Sequence, residues 1–317
     1  MKQTTFASLA FAHKKKLTRR ERFLQEMDAV VPWSRLTTLI APHYPRAGNG
    51  RQPMPLETML RIYFLQQWFN LSDPAAEDSL YDIESMRRFC GIELGDNAVP
   101  DETTILNFRR LLERHCLTEA IFKSVTRLLA DKRLLLKSGT LVDATIVSAP
   151  SSTKNEDRSR DPEMSQTKKG NQWYFGMKVH IGTDPRGLVH TVTTTTARES
   201  DINQLPDLLH GQESVVHGDR GYYSQDANTW LKRRGVRSHL QKRAAPGHPL
   251  TKTEKARNQA WSAVRAFVEH PFHVVKRLWG FTKVRYRGLA KNTARVFALM
   301  ALANLYRVRH RLLLQGA

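Results

Sequence analysis

The sequence predicts an α/β protein: an all-helical N-terminal domain, residues 1–134, followed by a mixed five-stranded sheet with flanking helices, residues 135–317. Three observations carry this expectation. Between residues 55 and 133 the pattern is helical throughout, with apolar side chains recurring at helical spacing. Around Leu136 the periodicity changes to that of strands, and β-rich runs then alternate with short helical ones. The chain has 317 residues, 40% of them hydrophobic, enough to bury the cores of two domains.

The helical part begins with a basic arm, Lys14, Lys15, Lys16, Arg19, Arg20 and Arg22, leading into a helix that Thr18 can cap. Such an arm is either a grip on phosphates or a solvated charge run. Residues 44–53 (YPRAGNGRQP) read as a turn-rich linker. Leu56, Met59, Leu60, Tyr63, Phe64 and Trp68 then form an apolar stripe. Ser72 caps a helix that has Pro74 in its first turn, Asp101 opens DETTILNFRRLLERH, and residues 120–133 continue as another helix. Short helices with capped turns suit a helix-turn-helix type of DNA-binding module, though most three-helix packings are only structural.

The sheet region opens with residues 139–147 (GTLVDATIV), an apolar strand interrupted by one acid, Asp143. A buried carboxylate is costly unless paired, hydrogen-bonded or metal-bound, which marks Asp143 as a functional candidate. Residues 151–172 are polar and charged, and are expected to be a mobile clamp on DNA or plain disorder. Trp173 follows, with a face that could stack on an unpaired base or pack in the core. Residues 176–183 and 188–197 form a hairpin through Asp184-Pro185-Arg186-Gly187. Residues 201–210 make a short helix. Residues 214–219 form a strand that ends on Asp219, with Gly221 allowing a sharp turn. A helix over 226–234 and a strand over 236–240 come next.

Residues 261–280 (WSAVRAFVEHPFHVVKRLWG) read as an amphipathic helix. Arg265, Glu269 and Lys276 share its polar face, while Val264, Phe267, Val268, Val275 and Leu278 form a packed back. Pro271 predicts a kink directly after Glu269. A last helix, residues 293–314, would cover a sheet face. The order of elements, with acids on the first strand, at the end of the fourth and on the later helix, resembles a ribonuclease-H-like fold.

Charge points to the partner. The net charge is +20, and from residue 231 onward twenty Lys or Arg residues face two carboxylates, Glu254 and Glu269. A surface so basic is expected to meet nucleic acid. A membrane is disfavoured, because the longest apolar run, VFALMALANLY over 296–306, is too short to span one. The opening residues lack the order of a secretory signal, so a cytoplasmic, nucleoid-associated protein is expected. The two cysteines, Cys90 and Cys116, suggest neither a disulfide framework nor a zinc site. Glu269 is then either a salt-bridge partner of Arg265 or a metal ligand needing partner carboxylates. Three carboxylates converging in a basic groove can hold two magnesium ions, with manganese able to substitute, and serve an in-line phosphodiester displacement.

Several blocks carry a resemblance: LVDATIVSAPSSTK around Asp143, DPEMSQTKKGNQWYFGMKVHIG, GDRGY at Asp219, EHPF with GFTKVRYRGLAKN, and, on the N-terminal side, PHYPRAGNGRQPMPLETMLRIYFLQQWFNLSD and PDETTILNFRRLLE. Together they resemble bacterial DDE transposases of the insertion-sequence-five family, within the insertion-sequence-four-like superfamily. That family's closing signature, Tyr-(2)-Arg-(3)-Glu-(6)-Lys, is met by Arg265, Glu269 and Lys276, with Ser262 at the tyrosine position. The resemblance implies Asp143, Asp219 and Glu269 as the metal-binding catalytic triad, and Arg265 and Lys276 as contacts to DNA phosphates. Arg220, Lys283, Arg285 and Arg287 join them on charge and nearness in sequence. His180 and His217 either take part or pack in the core.

The implied activity is binding of double-stranded terminal inverted repeats, hydrolysis at the element ends and joining of the freed 3′-hydroxyls to target DNA. Two ends held together imply a homodimer on DNA. Two rivals are a ribonuclease-H-like nuclease without strand transfer and a catalytically silent DNA-binding repressor; an intact triad speaks against the second.

Overall fold

Short, capped helices build the first part of the chain. The computed structural model describes residues 13–316, apart from 50, 51, 96, 155, 157 and 246; the opening residues, two positions of the linker and two of the polar loop thus lie outside the described residues. Helix α1 (Arg19–Val30) starts where Thr18 Oγ1 accepts from the Glu21 N–H. After α2 (Trp33–Ile40), helix α3 (Leu56–Trp68) is buried along nearly its whole length. Ser72 caps α4 (Asp73–Asp82), and α5 (Glu84–Phe89) follows. Asp101 caps α6 (Glu102–Arg114) by accepting from Thr104 N at 2.6 Å, and α7 (Leu117–Asp131) closes the set. All three caps stand where the sequence places them, because a short side-chain oxygen is the cheapest partner for an otherwise unpaired first-turn N–H.

Among the described residues six strands form one sheet: β1 (Thr140–Ser148), β2 (Ser165–Lys169), β3 (Gln172–Thr183), β4 (Val189–Thr196), β5 (Val215–Gly218) and β6 (Arg237–Leu240). β3 lies antiparallel to β1 and β4, whereas β5 runs parallel to β1 and β6 parallel to β5. Three antiparallel strands continued by two parallel ones, with helices on the faces, make a ribonuclease-H-like sheet. The sixth strand corrects the expectation for residues 151–172. β2 pairs with the first residues of β3, and Asp161 and Glu163 accept from the Gly288 and Leu289 N–H groups at 2.7 and 2.6 Å. The C-terminal half of that loop is therefore anchored, since strand pairing and the unpaired N–H groups of a helix start both take up its polar groups.

The two faces of the sheet have separate packing. Val142, Val216, Leu231, Leu240 and the buried Tyr222 pack on one face beneath α8 (Gln225–Arg233). The segment expected to be a helix over 201–210 is instead two single 3₁₀ turns, Asp201–Gln204 and Pro206–Leu208, because Pro206 cannot continue an α-helix begun before it. On the other face Leu141, Val179 and Ile181 join a core that runs on into the helical region. Helix α11 (Leu289–Leu314) joins them, packing on α7, α1 and β4, so it covers the sheet as expected and the N-terminal helices as well. Among the described residues no helix is long and apolar enough to cross a membrane.

The stretch expected to be one kinked helix is four pieces. Helix α9 (Lys252–Arg265), opened by a capping box of Thr251 and Glu254, passes into a 3₁₀ turn, Ala266–Val268. Helix α10 (Glu269–His273) and a π-helical turn, Val274–Leu278, follow. The break precedes Glu269 rather than following it, because Pro271 falls in the first turn of α10, where its missing N–H costs nothing. Each change of pitch rotates the faces. Val268 and Val275 are buried as expected, but Val264, Phe267 and Leu278 are exposed.

Candidate active site

The geometry centres on Arg265. Its Nη1 donates to Asp143 Oδ2 and its Nη2 to Glu269 Oε1, each at 3.3 Å, so one guanidinium joins the central strand to the first residue of α10. Asp143 is reached because β1 alternates: Val142 turns to one core and Asp143 to the face crossed by the 252–278 stretch. Asp219 stands just beyond β5, where Oδ1 accepts from the Gly221 N–H at 2.8 Å. Both Asp219 and Glu269 are close enough to act on Asp143. Desolvation, which is the largest effect, together with those two like charges raises the Asp143 carboxyl to about 7, against the pull of Arg265 and the Ala144 N–H.

The other expected residues fall into distinct places. Lys276 reaches down onto β1, donating to Thr145 Oγ1 at 2.8 Å and to the Ile146 carbonyl at 2.5 Å; burial, then the charge of Lys169, lowers its pKa. Arg220 and Lys283 are exposed. Arg285 donates to the carbonyl and to Oδ1 of Asn70 at 2.7 and 2.9 Å, and Arg287 donates to Ser159 Oγ at 3.2 Å. Trp173 is 64% exposed, which overturns the core alternative for it, and the Lys168 ammonium lies over its ring. Ser262, at the signature's tyrosine position, accepts from Gln241 Nε2 at 2.6 Å.

Neither histidine touches the triad. His180 is fully buried, bonded to Thr195 Oγ1, and burial lowers it to about 4. His217 pairs with His239 at 3.2 Å and is likewise held near 4 by burial. Burial favours the neutral form of both, and His180 Nδ1 stands 3.8 Å from Asp201 Oδ1.

Two groups beside the site escaped the sequence reading. Asp201 is held by Lys178 Nζ at 2.9 Å, and Tyr222 is a fully buried tyrosine three residues past Asp219. The tyrosine of GDRGY was a visible signal, whereas Asp201 lies in a polar run with nothing to single it out.

The donor set fits a hard divalent cation, since it is made of carboxylate oxygens, and a cation would offset both the burial, which is the larger cause, and the like charges that raise Asp143. Among the described residues no three His, Cys, Asp or Glu side chains stand ready as a finished metal cage.

The model of a family described as "Transposase DDE domain" matches residues 135–305, and that of a second, "Transposase domain (DUF772)", matches residues 11–111. One similar solved structure, described as "Crystal structure of the Mos1 Strand Transfer Complex", is 13% identical, with 86% of this chain and 82% of that chain covered, at a TM-score of 0.27. The first family model spans more than half of the 317 residues and contains β1, the Asp219 turn and α10, and on that match the chain belongs to the transposase DDE domain family.

Proposed function

We propose that this DNA transposase is of the insertion-sequence-five type, that it binds the terminal inverted repeats of its own element, and that it cleaves the ends and joins the 3′-hydroxyls to target DNA. The observation that supports this most is the Arg265 bridge, which ties carboxylates 126 positions apart in the chain to one guanidinium, with Asp219 near enough to act on Asp143. Asp143, Asp219 and Glu269 would hold the cation. When bound, magnesium or manganese supplies charge neutralisation at phosphate and a more acidic attacking hydroxyl.

The chain's own residues do the rest. Arg265 offsets part of the negative charge of two triad members, leaving less repulsion for an incoming phosphate. Lys276 pins the π-helical turn to β1 and thereby sets where α10 presents Glu269. Arg220 and Lys283 offer exposed cations to the DNA backbone, and the Trp173 ring offers a stacking face. Acting on two ends at once, the protein works as a homodimer on DNA.

The test is magnesium-dependent nicking and joining of a labelled DNA carrying the element's ends, comparing the native chain with Asp143→Ala, Asp219→Ala and Glu269→Ala. Loss of cleavage in all three with DNA binding retained supports the reading. Normal cleavage by Glu269→Ala removes that residue from the triad, and cleavage by the native chain without joining makes it a nuclease.

A further inference from the structure

One buried group beside the site has no partner. The Tyr222 side chain is fully buried, and its hydroxyl meets no hydrogen-bonding group among the described residues. A buried hydroxyl is normally paired. The charges that act on the phenol are the carboxylates of Asp201, Asp143 and Asp219 and, in the opposite direction and last in size, the Arg265 guanidinium.

Gly221 shows how closely two of them approach. A Cβ at position 221 would stand 3.0 Å from Asp219 Oδ1 and 3.4 Å from Asp201 Oδ2, so both carboxylates flank this turn. Asp201 is fixed at its other oxygen. Lys178 Nζ donates to Oδ1 at 2.9 Å and is itself held by the Glu199 carbonyl at 2.6 Å.

We infer that Asp201 and Tyr222 are positioning residues of the carboxylate site: Asp201, anchored by Lys178, braces the turn that presents Asp219, and the Tyr222 hydroxyl, on that same turn, donates to the Asp219 carboxylate of the cation-loaded site. The inference rests on the metal reading proposed above. A carboxylate that gives one oxygen to a cation keeps another for an outer donor, and such outer bonds contribute about 10–100-fold to metal affinity. A phenol suits this place. Burial first, then the surrounding carboxylates, keep its proton on, so it donates without adding negative charge.

The experiment titrates manganese alone into the full chain without DNA, by calorimetry or by the paramagnetic resonance of free ion, and records thermal unfolding alongside. Tyr222→Phe removes one oxygen and no packing volume of consequence. Its manganese affinity is expected to fall about 10-fold or more, with the melting temperature unchanged or higher because an unpaired hydroxyl is gone. Asp201→Asn is expected to weaken binding as well; if it fails to fold, Tyr222→Phe decides alone. Native affinity in Tyr222→Phe, whatever its stability, overturns the inference. If Asp143→Ala and Asp219→Ala abolish manganese binding in that same series, the proposed function survives the loss. Native affinity in those two variants sinks the metal reading itself.

Discussion

Helix α11 and the stretch from α9 to the π-helical turn are nearly equal in length and opposite in character. α11 is one 26-residue helix, and every position from 298 to 305 is buried. Its polar residues are bonded inside: Asn304 exchanges two hydrogen bonds with the Val189 backbone, and Arg295 donates to Gln67 and Asn70. Packing on all sides holds a regular helix. The other stretch changes pitch three times and is largely exposed, yet it holds Arg265, Glu269 and Lys276.

The contacts of this stretch with β1 are closer together than their spacing in sequence implies. Arg265 lands on Asp143 and Lys276 on Thr145, two residues apart on β1 or about 7 Å. Eleven residues of straight α-helix would advance about 16 Å. The reach of the two long side chains spans that mismatch. The regular helix lies in the core, and the stretch of broken pitch carries the candidate site residues.

Glu269 is the position where the exposed stretch and the buried helix should differ most. Glu269→Gln is expected to lower single-turnover cleavage on the order of 10³-fold. Its melting temperature should stay put, because the side chain is 60% exposed. A large loss of stability would mean that this stretch is core after all. Leu299→Ala in α11 should do the reverse, costing about 2–5 kcal/mol in denaturant unfolding while cleavage per folded molecule persists.

Acid should act on the α11 side. His190 stands on β4, which α11 covers, and burial, the largest cause, with the neighbouring His210 lowers it to about 3 from the ordinary 6.5. The folded protein therefore keeps it neutral while the unfolded chain takes up a proton below pH 6.5. Stability is intact above pH 6.5 and falls as pH drops toward 3, by about 2 kcal/mol from this group between pH 6.5 and 5. Urea unfolding at the two pH values should show that loss, and His190→Gln should reduce it. The smallest effect belongs to Pro271→Ala. Since the break precedes the proline, cleavage should hold, with stability lower by about 0.4–1 kcal/mol through the unfolded chain. A loss of cleavage would make Pro271 the cause of the broken pitch.

Much of the fold was legible because it is local. Thr18, Ser72 and Asp101 cap helices as read, since capping is decided within three residues. Asp143 announced itself as one acid in an apolar strand. Other features were hidden because they depend on distant partners. β2 is a run of polar residues that becomes a strand by pairing with β3, and Arg285 finds Asn70 across the fold. The exposure of Val264, Phe267 and Leu278 follows from shifts of helical pitch that a fixed 3.6-residue period cannot represent.

By itself, then, the sequence determined the helical-then-strand order, the capped turns, the basic surface and the three acids, all of which reside in composition and short-range spacing. Only the tertiary structure decided which cations reach those acids, where the helix breaks, and that Asp201 and Tyr222 lie near them. Those are contacts between residues far apart in the chain, and their energies exist only once burial has brought the groups within a few ångströms of each other.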